Sequence, residues 1–267
     1  NRNKRSIALD LKHPKGRDVA LRLIQSADIV LENFRTGTMA KLGLDYESLK
    51  ADHPGLIYCS LKGFLSGPYE NRVALDEVTQ MMGGLAYMTG LPDRPLRAGS
   101  SVIDITGGMF GVIAILSSLH RRRETGEGSH VTSALFETTA FLVGQHMAQQ
   151  AVSGDAPPPM SVRQSAWAVY DIFELNSGER LFVGIVSDTL WQRFCEEFGL
   201  SDWAADETLS SNAGRVAARE NLLPAIRELF APLSLAELSE RLDCAGLPFS
   251  PINLSLIHIS EPTRPPE

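Results

Sequence analysis

Two hydrophobic periods alternate along the chain. Residues 6–11 (SIALDL) alternate apolar and polar positions and predict a strand, and His13-Pro14-Lys15-Gly16 predicts a turn. Val19, Leu23 and Ile24 give residues 17–25 helical spacing. Residues 27–31 (ADIVL) and 56–61 (LIYCSL) are short apolar runs that predict buried strands, with short helices at 38–42 and 46–50 between them. This order predicts a parallel α/β sheet of the Rossmann-like kind. Ligands of such sheets bind beyond the carboxyl ends of the strands. Lys12, Asn33-Phe34-Arg35 and Lys62 therefore stand either at ligand-facing ends or in solvated loops.

Leu75, Val78 and Met82 predict a helix over 74–82, with Asp76 in its first turn, and 89–95 reads as a loop. The central stretch, 99–119, reads GSSVIDITGGMFGVIAILSSL and carries one charge, Asp104, ahead of Gly107-Gly108 and an apolar run. Its helix is expected to reach about Arg121, where the basic run 120–123 suits a helix C-terminus and needs no further role. A tight turn (TGEG, 125–128), a brief strand (131–133) and an apolar helix (134–150) follow. An Asp in so apolar a setting is a cap, a paired core group or a catalytic group. Asp is a favoured helix N-cap, and the same place keeps a carboxylate ionised while glycines admit a ligand to the backbone. The residues alone leave both readings open.

After the Pro-rich stretch GDAPPPM (154–160) the pattern changes. Residues 168–174 and 180–186 alternate around Asn176-Ser177-Gly178 and predict an antiparallel hairpin, and 191–198, 221–230 and 235–242 predict amphipathic helices. The expected organisation is a large α/β domain over 1–153, a linker over 154–164 and a smaller α+β domain over 165–253. The end, 254–267 (LSLIHISEPTRPPE), breaks the pattern and resembles a translated sequencing-adapter read-through, so it is taken as a non-native tail and His258 receives no role. The chain opens on Asn1 in a basic turn leading straight into a strand, so a preceding segment, including the large domain's N-terminal strand, is expected to be missing.

A net charge of −7 argues against a nucleic-acid partner. Cys59, Cys195 and Cys244 show no CxxC spacing and the six histidines no HExxH pattern, so neither a disulfide framework nor a metal site is expected, and a reducing, cytoplasmic setting is. No apolar run reaches the ~18 residues of a membrane span, so no membrane partner is expected. There is no GxGxxG for a dinucleotide.

NRNKRSIALDLKHPKGR, ADIVLENFRTGTMAKLGLDYESL, HPGLIYCSLKGF with GPY, LDEVTQMMGGL, the Asp104-x2-Gly-Gly segment, RRRETGEG and AGLPFSPIN occur in this order. Together, from residue 1 to about 253, they resemble the class III CoA-transferases (the CaiB/BaiF type, with formyl-CoA:oxalate, carnitine and racemase branches). The resemblance implies an α/β large domain plus a smaller α+β domain in an interlocked homodimer. It implies an enzyme that moves CoA from an acyl-CoA donor to a small carboxylic acid, with CoA as substrate and no permanently bound cofactor. Asp104 matches the catalytic Asp, which attacks the thioester to give an acyl-aspartyl anhydride and CoA thiolate. The acceptor carboxylate then takes the acyl group, and the thiolate attacks the new anhydride. Val102, Ile103, Ile105 and Met109 suit a site that excludes water, and backbone N–H groups near Gly107 suit an oxyanion.

Matching positions imply CoA contacts at Leu9, Asp10, Lys12, Asn33, Phe34, Lys41, Lys62 and Arg72, with Asp76 near the thioester. The resemblance implies that the family's N-terminal strand and an active-site loop residue are expected to be missing, which leaves a CoA-binding but inactive fragment as one alternative. The other is an α-methylacyl-CoA racemase, in which Asp104 would be a base. The racemase branch carries His where this chain has Leu75, which favours transfer. The glycine-rich loop of oxalate-type enzymes is replaced by residues 161–167 (SVRQSAW), which counts against an oxalate or formate acceptor and offers Arg163 to a substrate carboxylate.

Overall fold

Strand β2 (Ile57–Lys62) is the centre of the first sheet. The structure, a computed structural model, describes residues 3–253. Contacts divide the chain between Arg163 and Gln164 into two units. In the first unit, helix α1 (Pro14–Gln25) precedes strand β1 (Ile29–Glu32), and helices α2 (Thr38–Leu42) and α3 (Tyr46–Leu49) lead into β2. Helices α4 (Asp76–Met82) and α5 (Leu85–Thr89) then lead to the long helix α6 (Val102–Thr125), strand β3 (Ser129–Ala134) and helix α7 (Leu135–Ser153). The strands run parallel in the order β1-β2-β3, with Ile29 opposite Ile57 and Lys62 opposite Ala134. The expected parallel α/β sheet is present.

Two local expectations need correction, and one open alternative is closed. Residues 6–11 form no strand: alternation makes a strand only where a neighbour takes up the backbone N–H and C=O groups, and among the described residues none pairs with them. The turn at His13–Gly16 is the start of α1, since proline suits a first helical position and His13 Nδ1 accepts the Lys15 N–H at 3.2 Å. Gly16 is required there, because a Cβ would lie 2.1 Å from the Asp10 carbonyl oxygen. Helix α6 begins at Val102 with Ser101 as N-cap, so Asp104 is not the cap.

Small residues seat α6 on the sheet. Ile103, Gly107, Gly111 and Ser118 form its buried side. A Cβ on Gly111 would lie 3.0 Å from Leu61 and 3.6 Å from Cys59, so the glycine brings the helix axis close to β2. Ser133 Oγ donates to the Gly107 carbonyl at 2.8 Å, tying β3 to the same turn. At the far end Arg122 donates to Asp28 Oδ1 and to the Gly55 carbonyl, each at 2.8 Å. The basic run therefore also fastens α6 to the sheet's amino-terminal edge, a role beyond the helix dipole. By length and apolar composition α6 reaches that of a membrane span, but its buried positions return at helical spacing, four and seven apart, on one side packed against the sheet and α7, as in the helix of a packed core. Its other side leaves Ile105, Met109, Val112, Ile113 and Leu116 exposed, so Ile105 and Met109 do not wall off water around Asp104 as expected.

The Pro-rich stretch is bound to the first unit. Met160 N–H donates to Met88 O at 2.8 Å, and Ser161 Oγ to Gly90 O at 2.6 Å. The second unit pairs strands β4 (Val169–Glu174), β5 (Arg180–Ile185) and β6 (Phe249–Pro251) antiparallel in that order, with β4-β5 the expected hairpin. Its helices are α8 (Asp188–Phe198), α9 (Ser201–Ala205), α10 (Asn212–Ala217), α11 (Arg219–Phe230) and α12 (Leu235–Cys244), with a 3-10 turn at Glu207–Leu209. Phe173, Phe194, Phe198 and Phe230 meet ring to ring in its core. The buried Arg215 is satisfied by Asp188 and the Leu209 carbonyl and lies over Trp191. The expected tail at 254–267 lies outside the described residues.

Phe230→Ala is expected to lower the second unit's stability by about 3–5 kcal/mol, since a fully buried aromatic leaves a cavity. Urea unfolding followed by tryptophan fluorescence reads this, because all three tryptophans lie in that unit. A loss below about 1 kcal/mol would contradict this core assignment.

Candidate active site

At the carboxyl end of β1 the chain turns on a buried carboxylate. Glu32 accepts the Phe34 N–H at 2.8 Å and pairs with Lys62 at the end of β2, Nζ to Oε1 at 2.7 Å. Lys62 Nζ also donates to the Phe34 carbonyl at 2.7 Å. An ammonium has three protons to give, and the two Glu32 oxygens and Phe34 O account for them. Lys62 thus holds the Asn33-Phe34 turn in place instead of presenting a free charge to a phosphate.

The cleft above these strand ends has a volume of about 410 Å³. Asn33, Lys62, Leu75, Asp76, Asp104, Gly107, Gly108 and Ser133 line it. A second cleft of about 270 Å³ shares Asn33, Leu61, Lys62, Gly63 and Ala74 as a wall and adds Phe34, Arg35 and Arg72. Arg72 lies 5.8 Å over the Tyr69 ring. The structure therefore brings Asp104, Asp76, Asn33, Phe34, Lys62 and Arg72 together around two adjoining clefts. Leu9, Asp10, Lys12 and Lys41 line neither. Asp10 instead accepts the Lys12 N–H at 3.0 Å, and Lys41 is exposed in the last turn of α2.

Asp104 stands in the first turn of α6, open to the larger cleft. The cap is supplied from α4. Asp76 Oδ2 accepts the N–H groups of Ile103 at 2.9 Å and Asp104 at 3.1 Å. Asp76 Oδ1 accepts Gln80 Nε2 at 2.6 Å, and Gln80 Oε1 accepts the Ala98 N–H at 2.8 Å. Asp76 and Gln80 are both buried. Arg97 approaches this group, 3.9 Å from Asp76 and 3.8 Å from Glu77.

Desolvation by the surrounding walls pushes the Asp104 carboxyl above the usual range. The Asp76 charge pushes the same way, and Arg97 partly opposes both. One expected feature fails. Gly107 and Gly108 lie in the second turn of α6, where their N–H groups belong to the helical ladder and are not free for an oxyanion. The first-turn donors Ile103 and Asp104 are taken by Asp76.

Glu32, Gln80, Arg97 and Ser133 were not singled out from the sequence. Asp76 and Gln80 stand four apart on one helix, a spacing at which side chains meet, and that signal was readable. The other three reach the site through tertiary contacts. Among the described residues no group of three His, Cys, Asp or Glu side chains is placed to hold a metal ion.

The sequence matches CoA-transferase family III over residues 1–258. It is 34% identical over 255 residues to a succinate–glutarate CoA-transferase of Agrobacterium fabrum, covering 95% of this chain and 64% of that protein. It is 32% identical to an acetyl-CoA:oxalate CoA-transferase of Acetobacter aceti, covering 94% and 65%. This chain thus spans slightly under two thirds of these relatives. A crystal structure of a CAIB/BAIF family protein from Brucella suis superposes with a TM-score of 0.80 at 37% identity, covering 95% of this chain and 67% of that one. A hypothetical protein of Mycobacterium tuberculosis, 24% identical, shares the fold with a TM-score of 0.84, covering 98% and 70%. The parallel sheet and the match along nearly the whole chain agree: the chain belongs to CoA-transferase family III.

Proposed function

We propose that this chain carries the reacting carboxylate of a CoA-transferase and moves CoA from an acyl-CoA donor to a small carboxylic acid. The observation that carries the reading is Asp104, a carboxylate open to a cleft at a helix N-terminus, with its neighbouring backbone donors already satisfied. The names of the relatives support CoA transfer between carboxylic acids as the reaction class. Asp104 attacks the thioester carbonyl, the C–S bond breaks, and CoA leaves as thiolate. The acyl group then passes from the aspartyl anhydride to the acceptor carboxylate, freeing Asp104. The thiolate attacks the acceptor's carbonyl in the new anhydride and releases the donor acid.

Asn33, Phe34 and Arg72 are assigned to CoA in the adjoining cleft, where guanidinium groups suit phosphates. Arg35, exposed on the same wall, joins Arg72 in place of Lys62. Leu9, Asp10, Lys12 and Lys41 are assigned to more distant parts of CoA. Leu75 lines the Asp104 cleft as an exposed apolar side chain, so the position offers no second acid or base for racemisation. Pairing of two copies and a cytoplasmic setting belong to the same reading, and sedimentation equilibrium tests the first: a dimer is expected, and a monomer at all concentrations would contradict it.

Incubation with a panel of acyl-CoA donors, quenching with hydroxylamine and intact-mass measurement tests the chemistry. An adduct is expected, reduced at least about a thousandfold in rate by Asp104→Asn. No adduct from any donor, or one that persists in the variant, would contradict the proposal. A racemase would instead wash deuterium into the substrate α-carbon without an adduct.

Stability supplies an independent check. A carboxyl whose pKa is raised on folding costs stability once ionised, and the cost is absent below the unfolded pKa of about 4. Asp104→Asn is therefore expected to be more stable than the native chain at pH 7, with the gain vanishing as pH falls below about 4. A variant equally or less stable at pH 7 would contradict the electrostatic account.

A further inference from the structure

We infer that Gln80 is a positioning residue for Asp104, acting through Asp76. The inference rests on Asp104 being the reacting carboxylate. Gln80 does not touch Asp104 and does not itself line the cleft; it reaches both through Asp76, which does. Its influence follows from the order of donors and acceptors in a buried chain of hydrogen bonds.

The Ala98 N–H can only donate, so it fixes the Gln80 amide with Oε1 toward Ala98. Nε2 must then face Asp76, where it donates to Oδ1 at 2.6 Å. That contact leaves Oδ2 to the N–H groups of Ile103 and Asp104. A flipped amide would set an NH₂ group against the Ala98 N–H and a carbonyl against a carboxylate. Gln80 and Asp76 are buried, so water does not readily compensate such a mismatch. The Gln80 orientation therefore selects the rotamer of Asp76, and Asp76 sets the backbone of the turn from which the Asp104 side chain projects.

The same chain places a negative charge beside Asp104. The charged groups facing this region are Asp76 on α4, Arg97 ahead of α6, Glu77 beside Arg97, and the Lys62–Glu32 pair at the strand ends. Of these, Arg97 pairs with Asp76 only at 3.9 Å, without a hydrogen bond, and is shared with Glu77, and Lys62 is neutralised by Glu32. Asp76 is thus the negative charge held next to Asp104; it favours the protonated form, and Arg97 offsets it only in part. Gln80 keeps that charge in place as an amide and adds none of its own.

A polarity exchange separates the hydrogen bonds from the charge. In the double variant Asp76→Asn with Gln80→Glu, the Ala98 N–H still meets a carboxylate oxygen at position 80. The amide introduced at position 76 donates to the other oxygen, and its carbonyl accepts from Ile103 and Asp104. Every contact is kept, while the charge moves to position 80, one hydrogen bond further along the chain from Asp104. Asp76→Asn alone sets two NH₂ groups against each other, and Gln80→Met removes the clamp without changing charge or size greatly.

The experiment is a ¹³C NMR titration of the Asp104 carboxyl, assigned with Asp104→Asn, alongside hydrogen exchange at the Ile103 and Asp104 amides. Exchange at both amides is expected to rise roughly tenfold in Gln80→Met and Asp76→Asn, as a freed helix cap opens, and to return to the native rate in the double variant. The Asp104 pKa is expected to fall in the double variant, moving the acid limb of adduct formation to lower pH. Native exchange in Gln80→Met, or an unchanged Asp104 pKa in a double variant with native exchange, would overturn the inference. The exchange and NMR readouts need no transfer chemistry, so an absent adduct alongside them would count against the proposed reaction and leave the positioning role standing.

Discussion

The carboxylate of Asp76, turned onto the first-turn amides of α6, is the contact on which the cleft depends. A helix N-terminus leaves backbone donors unsatisfied. Here a side chain from another helix supplies the cap that Ser101 does not. This fixes where α6 starts and which way its first turn faces. It also frees Asp104 from the structural duty that an Asp at such a position commonly performs. Gly111 completes the arrangement by letting the helix lie close on β2 and β3, and Gly107 by letting it lie close to Leu135 and Thr138 of α7. Ser133 and Arg122 tie its near and far parts to the same sheet.

Charge is handled locally in a chain that is acidic as a whole. The Lys62–Glu32 pair is nearly enclosed, and breaking such a pair would leave a buried charge without compensation. Its geometric effect is to hold the Asn33-Phe34 turn at the wall shared by the two clefts. The exposed guanidinium groups of Arg35 and Arg72 are left to face the adjoining cleft. Around Asp104 the balance runs the other way, with desolvation and a second carboxylate both resisting ionisation. A carboxylate held at such a cost is a stronger nucleophile than one fully hydrated or ion-paired, as the proposed thioester attack requires.

Much of the fold was legible because burial follows local periodicity. The apolar runs of β1 and β2, the long helix around Asp104 and the hairpin around Gly178 were all readable. What escaped depends on partners distant in sequence. Residues 6–11 have the alternation of a strand but no neighbour to pair with among the described residues. The short α5 has too few turns to establish a period. Asp104 was readable as the isolated charge of an apolar stretch, yet its local context could not separate cap from reactive group. The residue that does the capping lies 28 residues away at Asp76. Lys62 was legible as a residue at a strand's carboxyl end, but its pairing with Glu32 is set by strand neighbours.

The most direct measurement locates the modified residue after turnover. Tryptic cleavage at Arg97 and Arg121 isolates Asp104 in one peptide, while cleavage at Arg72 and Arg97 places Asp76 in another. Tandem mass spectrometry of protein quenched with hydroxylamine during reaction with an acyl-CoA is predicted to place the hydroxamate on Asp104. A hydroxamate on Asp76, or on neither residue while transfer proceeds, would contradict the assignment of Asp104 as the group that receives the acyl chain.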